Sequence, residues 1–292
     1  MNIFLTGANG QVGFELERQL SLLGHVLAPK RQELDLSDAE AVETWLKSNR
    51  PELIVNAAAY TAVDKAESEP TLAQRLNVEL PAQLAAYCAD HQIPLVHYSS
   101  DYVYPGDGEQ YWQESSEPRP LSVYGQTKLE GDRAIEASGC RHLIFRTSWI
   151  YSARGNNFMK TMLRLGRERE ALSVVADQIG APTPARLIAQ VTSLALEQQL
   201  SSGIYHLAPR GETSWCGFAR EIFRLAASHG EQLAISPEMV DAIPTANYPT
   251  PAARPLNSRL ALEKLERELE RKLPEWQPQL ALTLKEHLVG SS

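Results

Sequence analysis

A tyrosine and a lysine four residues apart form the pair of side chains in this sequence that is best suited to acid–base chemistry. Tyr124 and Lys128 lie in the segment SVYGQTKLEG, and their spacing places both on one face of a helix. A tyrosine hydroxyl has a pKa of about 10, so at neutral pH it exchanges its proton poorly unless a nearby ammonium group lowers that pKa. We therefore expect Lys128 to assist Tyr124, and Tyr124 to donate a proton to a carbonyl oxygen.

Two serines could contribute a hydroxyl group to the same site. Ser99 and Ser100 follow the apolar run Pro94–Tyr98, which predicts a strand, and catalytic side chains gather at the carboxyl ends of strands in open parallel sheets. Ser100 is expected to hydrogen-bond the carbonyl and to stabilise developing negative charge, with Ser99 as the rival for that role. His97, inside the strand, is interpreted as a hydrogen-bonded core residue rather than as a base.

A glycine-rich turn near the N-terminus predicts a phosphate site. The segment TGANGQVG spans residues 6–13, after a short apolar run and before a helical pattern. Gly7 permits a tight turn, Gly10 lets the backbone approach a pyrophosphate, and Gly13 lets the helix pack closely on the sheet. The helix then offers its free N–H groups and the positive end of its dipole to the phosphates. Strand, turn and helix together predict a dinucleotide cofactor that supplies hydride.

The end of the second predicted strand indicates which dinucleotide is used. An acidic residue at this place favours NAD because it holds the ribose 2′-hydroxyl, but this chain has Lys30 and Arg31. Two cations suit a 2′-phosphate, so NADPH is the expected cofactor, with NADH as the alternative if the two residues form an ordinary solvated turn. Asp35, a few residues further on, suits a helix entry. The small residues of 56–61 would let the cofactor lie close to the backbone.

The elements that would position these residues alternate between strand and helix. The predicted strands are Asn2–Thr6, Val26–Ala28, Leu53–Val55, Pro94–Tyr98 and Leu143–Phe145. The predicted helices are Gly10–Leu23, Asp38–Ser48 and Leu72–Ala89. Each strand is a continuous apolar run, which is typical of a parallel sheet covered on both faces. The predicted fold class is therefore α/β, with a doubly wound, Rossmann-like parallel sheet.

The sequence pattern changes at about residue 151. Residues 1–150 are predicted to form the dinucleotide-binding domain, and residues 151–292 a smaller C-terminal part that is mainly substrate-binding. Prolines break this second part into short pieces, and the segment NYPTPAARP (247–255) predicts an extended loop, since each proline biases its predecessor away from helix. Some elements of the second part are expected to return to the first domain.

Charge and composition exclude several classes of function. The formal net charge of −8 argues against a nucleic-acid-binding protein, which would carry a basic patch. The 3 cysteines show no CxxC motif and no Cys/His cluster, so neither a disulfide framework nor a zinc site is predicted. The sequence has no leader pattern and no long apolar run, which predicts a cytoplasmic protein without a membrane partner.

Over nearly its whole length the sequence resembles the dTDP-4-dehydrorhamnose reductase family. The phrases that carry the resemblance are LIVNAAAYTAVDKAESEP (53–70), VHYSSDYVYPG (96–106), VYGQTKLEG (123–131), FRTSWIY (145–151), GNNFMKTMLRL (155–165), DQIGAPT (177–183) and YPTPAARPLNSRL (248–260). They are far more specific than the motifs of short-chain dehydrogenases in general. The resemblance implies that NAD(P)H reduces the C4 keto group of dTDP-4-dehydro-L-rhamnose to give dTDP-L-rhamnose, a nucleotide sugar for polysaccharide biosynthesis.

The resemblance also implies roles for individual residues. Tyr124 would be the proton donor, Lys128 its partner, and Ser100 a tuning residue at a place where the family usually has threonine. The implied cofactor contacts are Gly10, Gln11, Val12, Asp35, Leu36, Ala59, Tyr60 and Thr61. The expected substrate contacts are Ser100, Asp101, Tyr102, Trp149, Arg254 and Asn257. Without the resemblance, Trp149 could equally be a core tryptophan. The resemblance favours a tryptophan in the cavity wall whose ring stacks on the sugar.

Two departures from the family pattern change what is expected. Family members often carry an acidic residue where this chain has Lys30, which again favours NADPH. Some members bind magnesium through glutamates at a dimer interface, and one of those positions is Arg186 here, while Glu15 remains. An arginine cannot ligate a cation, so no metal-ligating residue is predicted, and bound magnesium and a metal-bridged dimer are both in doubt. The oligomeric state stays open between monomer and homodimer.

Several related functions are alternatives to this interpretation. A sugar-nucleotide 4,6-dehydratase would have an Asp-Glu pair after the active-site hydroxyl, whereas Asp101-Tyr102 follows Ser100. A C4 epimerase shares the generic motifs, but the longer phrases disfavour it. A reductase that gives the talose epimer differs only in how the sugar is seated. A regulatory subunit of the methionine adenosyltransferase type would need no intact Tyr–Lys pair.

Overall fold

Strands and helices alternate through the first half of the chain, as the sequence predicts. In the computed structural model, which describes residues 1–290, the strands are β1 (Asn2–Thr6), β2 (His25–Leu27), β3 (Leu53–Asn56), β4 (Leu95–Ser100), β5 (His142–Thr147), β6 (Ile150–Tyr151), β7 (Leu172–Val175), β8 (Ile179–Gly180), β9 (Thr183–Pro184), β10 (Gly203–His206), β11 (Thr213–Ser214) and β12 (Val240–Ile243). The α-helices are α1 (Gln11–Leu20), α2 (Ala39–Asn49), α3 (Val63–Ala66), α4 (Pro70–Gln74), α5 (Leu80–His91), α6 (Val123–Ala137), α7 (Phe158–Glu168), α8 (Ala185–Glu197), α9 (Trp215–Ser228), α10 (Glu263–Glu268) and α11 (Trp276–Val289).

Six of the strands form one parallel sheet in the order β10-β5-β4-β3-β1-β2. The chain begins at β1, one strand in from an edge, extends to that edge at β2, and then crosses back through β3, β4 and β5 to the opposite edge at β10. Strands β3 and β4 are buried along their whole length, because helices cover both faces. The predicted fold class, a doubly wound α/β sheet, is confirmed.

The two faces of the sheet carry separate hydrophobic clusters. One cluster joins the sheet to α1 and α8, and the other joins it to α2 and α5. Helix α8 and strand β10 lie late in the chain yet pack on or join the sheet of the first half. A third cluster is built from α7, α9 and α11. No helix among residues 1–290 is long and apolar enough to span a membrane.

The predicted single helix at 72–89 is interrupted in the structure. Helix α4 runs into a π-helical turn at Arg75–Glu79 before α5 begins. Pro81 is the physical reason, because it has no N–H to donate to the carbonyl of Asn77 four residues earlier. That carbonyl instead faces Gly131 of α6, where a Cβ atom would lie 2.1 Å from the Asn77 oxygen. The turn therefore brings α6, with Tyr124 and Lys128, close to the end of β3.

Candidate active site

A cavity of about 760 Å³ opens at the carboxyl ends of the parallel strands. Of the residues singled out in the sequence, the ones that line it are Gly7, Gly10, Gln11, Val12, Arg31, Asp35, Leu36, Ala59, Thr61, Ser99, Ser100, Asp101, Tyr102, Tyr124, Lys128 and Trp149. The ones outside the lining are Gly13, Lys30, Tyr60, Arg254 and Asn257. The fold thus brings the glycine turn, the serine and the Tyr–Lys pair to one hollow.

The glycine turn has the tight geometry that a dinucleotide phosphate site needs. Gly7 adopts a φ of 70°, and a Cβ atom there would lie 2.8 Å from the backbone of Ala57. A Cβ atom on Gly13 would lie 2.1 Å from the carbonyl oxygen of Gly7, so α1 can approach the turn only with glycine at this position. The N-terminus of α1 consequently faces an open cradle, and the residues present fit a bound pyrophosphate.

Helix α6 carries Tyr124 and Lys128 into the cavity. Ser122 caps the helix by accepting a hydrogen bond from Gly125 N–H at 3.2 Å, which fixes where the helix begins. The Tyr124 ring meets the edge of the Tyr102 ring at a centroid distance of 5.4 Å. Burial raises the pKa of Tyr124 above its ordinary value, and a hydrogen bond with Ser100 opposes this rise. In the structure Tyr124 is therefore a protonated hydroxyl at neutral pH.

Lys128 is buried, with 2% of its surface exposed. Its Nζ atom lies 2.6 Å from the carbonyl oxygen of Tyr98 and 3.2 Å from Nε2 of His97. Burial lowers the pKa of Lys128 to about 8, against the opposing charge of Asp132. Burial is the largest influence on the pKa of Tyr124, and the Lys128 ammonium group makes its hydrogen bonds to β4. That Lys128 lowers the pKa of Tyr124 stays a prediction.

The structure distinguishes the two serines at the end of β4. The Ser99 hydroxyl donates to Asp132 Oδ2 at 2.8 Å. The Ser100 hydroxyl donates to Asp101 Oδ1 at 2.9 Å and also hydrogen-bonds Tyr124. Burial raises the pKa of Asp101 to about 6, and hydrogen bonds from Ser258 and Ser100 oppose this rise. Ser100 and Asp101 thus offer polar atoms beside Tyr124, where a substrate carbonyl and hydroxyl could bind.

Behind the cavity lies a buried ion pair that the sequence reasoning missed. Asp132 Oδ2 accepts a hydrogen bond from Arg146 Nε at 3.1 Å, and both side chains are almost fully buried. Arg146 also donates to the Tyr104 hydroxyl at 2.9 Å, which lies 2.7 Å from Nε2 of His206. A signal was present in the sequence, because Asp132 continues the spacing of four that starts at Tyr124 and Lys128.

Trp149 is held in a strained conformation at the cavity wall. Its φ of 50° lies in the left-handed region, which is unusual for a bulky residue and occurs at functional sites. Its ring stacks on Trp215, with 3.8 Å between ring centroids, and Trp215 in turn donates to Gln178 Oε1 at 3.1 Å. The two rings form a rigid apolar surface beside the catalytic pair, so Trp149 lines the cavity instead of the core.

The basic residues after β2 are placed differently from one another. Arg31 lines the cavity and lies 3.7 Å from Asp35, while the Lys30 side chain lies outside the lining. The Lys30 N–H is bonded to Glu33 within the same turn at 2.7 Å. Asp35 accepts hydrogen bonds from Ser37, and these lower its pKa. Of these two cations, Arg31 is therefore the one that lines the cavity.

The three other predicted contacts outside the lining have structural partners. The Tyr60 hydroxyl donates to Glu69, although the neighbouring backbone lines the cavity. Arg254 pairs with Asp64 at 2.7 Å and also donates to the hydroxyl of Tyr102 at 3.1 Å. Buried Asn257 donates to Gln110 O at 2.8 Å and thereby fastens its own loop.

The residues at the magnesium position of some family members do not fit a cation. Arg186 lies 3.7 Å from Glu15 and also forms an ion pair with Glu286. Its guanidinium group therefore occupies the place between the carboxylates. Within residues 1–290 no group of three or more His, Cys, Asp or Glu side chains could hold a metal ion. No step of the chemistry below is assigned to a metal.

A doubly wound sheet, a glycine turn at a helix N-terminus and a Ser–Tyr–Lys set in one cavity define an oxidoreductase of the short-chain dehydrogenase class. The family model described as RmlD substrate binding domain matches residues 1–289, and the chain belongs to this family. It is 47% identical over 285 residues to the dTDP-4-dehydrorhamnose reductase of Escherichia coli K12, with 95% of each chain covered.

Solved structures agree with this assignment. The dTDP-4-dehydrorhamnose reductase of Clostridium acetobutylicum is 35% identical, with 98% of this chain and 99% of that chain covered and a TM-score of 0.91. The enzyme of the same name from Bacillus anthracis, solved in complex with NADP, is 34% identical with the same coverage and a TM-score of 0.90. The family resemblance found in the sequence is confirmed.

Proposed function

We propose that this chain reduces the C4 keto group of dTDP-4-dehydro-L-rhamnose to give dTDP-L-rhamnose, with NADPH as the cofactor. The observation that carries the proposal is the meeting of the glycine turn, Ser100, Tyr124 and Lys128 in one cavity. The shared name of the relatives supports the substrate, and the NADP complex of the Bacillus anthracis enzyme supports the cofactor. The reaction is proposed to take place in the cytoplasm, by a monomer or homodimer.

NADPH, when bound, supplies the hydride that reaches C4 of the sugar. The α1 N-terminus and the glycine turn hold the pyrophosphate, and Asp35 and Leu36 lie where the adenine would bind. Arg31 provides the positive charge for a 2′-phosphate. NADPH is therefore preferred to NADH, and the preference depends on Arg31 more than on Lys30.

Tyr124 donates the proton that the reduced carbonyl oxygen requires. Ser100 hydrogen-bonds Tyr124, so its hydroxyl is placed to bind the same carbonyl oxygen and to stabilise the charge that develops there. The carboxyl group of Asp101, which lines the same cavity, can accept a hydrogen bond from a sugar hydroxyl.

The sugar ring is proposed to pack on Trp149, whose orientation is set by Trp215. The part of the chain from residue 151 onwards supplies this support, which agrees with a mainly substrate-binding role for residues 151–292. Arg254 is held by Asp64 and Tyr102 at the rim, and we propose that it contacts the nucleotide part of the substrate. Asn257 supports the loop that carries Arg254.

Turnover of purified protein tests the proposal. Incubation with dTDP-4-dehydro-L-rhamnose and NADPH, with EDTA present, is expected to oxidise the cofactor and to give dTDP-L-rhamnose by NMR. Tyr124→Phe should lose nearly all of the rate, because it cannot donate a proton. Tyr111→Phe is the matched control, since the Tyr111 hydroxyl is bonded to Glu212 at the surface.

Two other results would change the conclusion. A product with the talose configuration would keep the reductase chemistry but show that the sugar is seated differently. Absence of oxidation with both NADPH and NADH, with and without magnesium, would overturn the reductase proposal and favour a regulatory role.

A further inference from the structure

A chain of buried polar groups runs from the glycine turn to the active-site lysine. The Ala58 N–H donates to the Thr6 hydroxyl oxygen at 3.1 Å, and the Thr6 hydroxyl donates to Asn56 Oδ1 at 2.6 Å. Asn56 Nδ2 lies 3.1 Å from Nδ1 of His97, and the other ring nitrogen, Nε2, lies 3.2 Å from Nζ of Lys128. Thr6, Asn56 and His97 are each at most 2% exposed, so water does not interrupt the chain.

The direction of this chain is fixed at its first link. The Ala58 N–H can only donate, so it uses a lone pair of the Thr6 oxygen and leaves the Thr6 hydroxyl proton for Asn56 Oδ1. If the Asn56 amide were turned over, its NH₂ group would face Thr6. The Thr6 hydroxyl proton would then lose the acceptor that it has among the described residues. Asn56 Nδ2 therefore points at His97 and donates to Nδ1.

The same reasoning fixes the proton on His97. Burial, and after it the charge of Lys128, lowers the pKa of His97 well below its ordinary value, so the ring is neutral. A neutral ring whose Nδ1 accepts a hydrogen bond carries its proton on Nε2. The Nε2–H bond is then directed at Lys128. An ammonium group cannot accept this hydrogen bond, whereas a neutral amine can.

We propose that Thr6, Asn56 and His97 act as positioning residues that hold a hydrogen-bond donor against Lys128 and so favour the neutral form of its amine. The proposal rests on the reductase function given above. The donor disfavours the charged form of Lys128 and stabilises the neutral form. His97 thus acts through Lys128 and does not itself touch the substrate.

The protons balance through one catalytic cycle. Tyr124 gives its proton to the carbonyl oxygen, and a proton from the ammonium group of Lys128, which lies one turn along α6 and lines the same cavity, replaces it. The neutral amine then accepts the hydrogen bond from His97. Lys128 regains a proton from solvent after the product leaves. The pKa values agree with this direction, because burial lowers the pKa of Lys128 to about 8 and raises that of Tyr124.

Other ionisable groups near Lys128 do not replace His97 in this role. Asp132 lies one turn further along α6, and its negative charge favours the ammonium form. Arg146, from β5, is paired with Asp132, and Tyr124 is the group that receives the proton. His97, from β4, is the ring that presents a donor to Nζ. The charge of Asp132 and the donor of His97 therefore act in opposite directions on the same amine.

The tautomer of His97 is the most direct test. In protein with ¹⁵N-labelled histidine, NMR should show His97 with a bare Nδ1 and a protonated Nε2 between pH 6 and pH 9. The signal is assigned by its absence from His97→Phe. A ring protonated on Nδ1 would overturn the proposal. This readout needs no substrate, so it is informative even if the reductase activity itself is not found.

The pH dependence of kcat tests the consequence for Lys128. The rate of reduction should fall as the pH rises through the pKa of Lys128, because the ammonium form supplies the proton. Removing the donor raises this pKa, so His97→Phe should move the alkaline limb upwards by about one pH unit, the size of one hydrogen bond to an ionisable group. Thr6→Val frees the Asn56 amide to rotate and should shift the limb in the same direction.

Thr192→Val is the matched control. It removes another buried hydrogen bond to β4, between Thr192 and the Tyr98 hydroxyl at 2.8 Å, without touching Lys128. Its alkaline limb should stay at the wild-type pH. If His97→Phe and Thr6→Val lower kcat equally at every pH and leave the limb in place, the chain has only a structural role and the proposal is wrong.

Discussion

Replacing Asp132 by asparagine should destabilise the protein strongly, because it removes one charge of a buried pair. Arg146 Nε lies 3.1 Å from Asp132 Oδ2, and the two side chains are 2% and 0% exposed. In Asp132→Asn the Arg146 charge stays buried, with the Tyr104 hydroxyl as its remaining polar partner in this network. Breaking a buried pair in this way costs about 3–5 kcal/mol. For a chain of this size we expect the melting temperature to fall by roughly 6 °C or more.

Urea unfolding of wild type and variant measures this loss, with Asp107→Asn as the matched control. Asp107 and Arg119 form a pair of nearly the same length, 3.2 Å, but their side chains are 65% and 73% exposed. The same substitution there should cost less than about 1 kcal/mol. If Asp132→Asn loses no more stability than Asp107→Asn, the burial and pairing assigned to Asp132 and Arg146 are wrong.

Three further outcomes follow from the geometry. Arg31→Ala should raise the KM for NADPH by about 5- to 30-fold, which is the lower range for a charge-assisted contact at an exposed site, and should leave the KM for NADH unchanged. Lys30→Ala should change neither KM by much. Initial rates with both cofactors measure these values. Burial lowers the pKa of His206 from 6.5 to about 3, so below pH 6.5 the unfolded chain binds more protons and the wild type loses stability. The stability advantage of wild type over His206→Gln should therefore be full at pH 7 and shrink towards pH 4 in urea unfolding. Trp149→Ala should raise the KM for the sugar nucleotide more than the KM for NADPH, and equal increases would contradict a sugar-facing ring.

The sequence is sufficient to predict the central sheet and the order of the main catalytic groups. Apolar runs such as Leu53–Val55 fix the buried strands, and the fold then brings their carboxyl ends together. The glycine turn and the Tyr124–Lys128 pair are short-range patterns, so each can be recognised without knowing the partners in space. The π-helical turn before Pro81 was missed because a helical pattern shows no change where one hydrogen bond is lost.

Contacts between distant residues were beyond the reach of sequence patterns. The sequence does not reveal that Trp149 stacks on Trp215, or that the Ser99 hydroxyl is bonded to Asp132. The sequence gives no reason to prefer Lys30 or Arg31 as the cation of the cavity. The path of the turn after β2 decides this, because it brings Arg31 to the cavity and leaves Lys30 outside. His97 was interpreted as a bonded core residue, which the structure confirms, but the direction of its hydrogen bonds depends on Asn56 from the neighbouring strand.

The position of a transferred deuterium tests the central claim most directly. Samples of NADPH labelled with deuterium on either face of C4 of the nicotinamide would be incubated with the protein and dTDP-4-dehydro-L-rhamnose. We predict that one of the two labels appears at C4 of a sugar with the rhamnose configuration, and that Tyr124→Phe transfers almost none. Retention of both labels on the cofactor, or a label at another carbon of the sugar, would contradict the reaction proposed for this site.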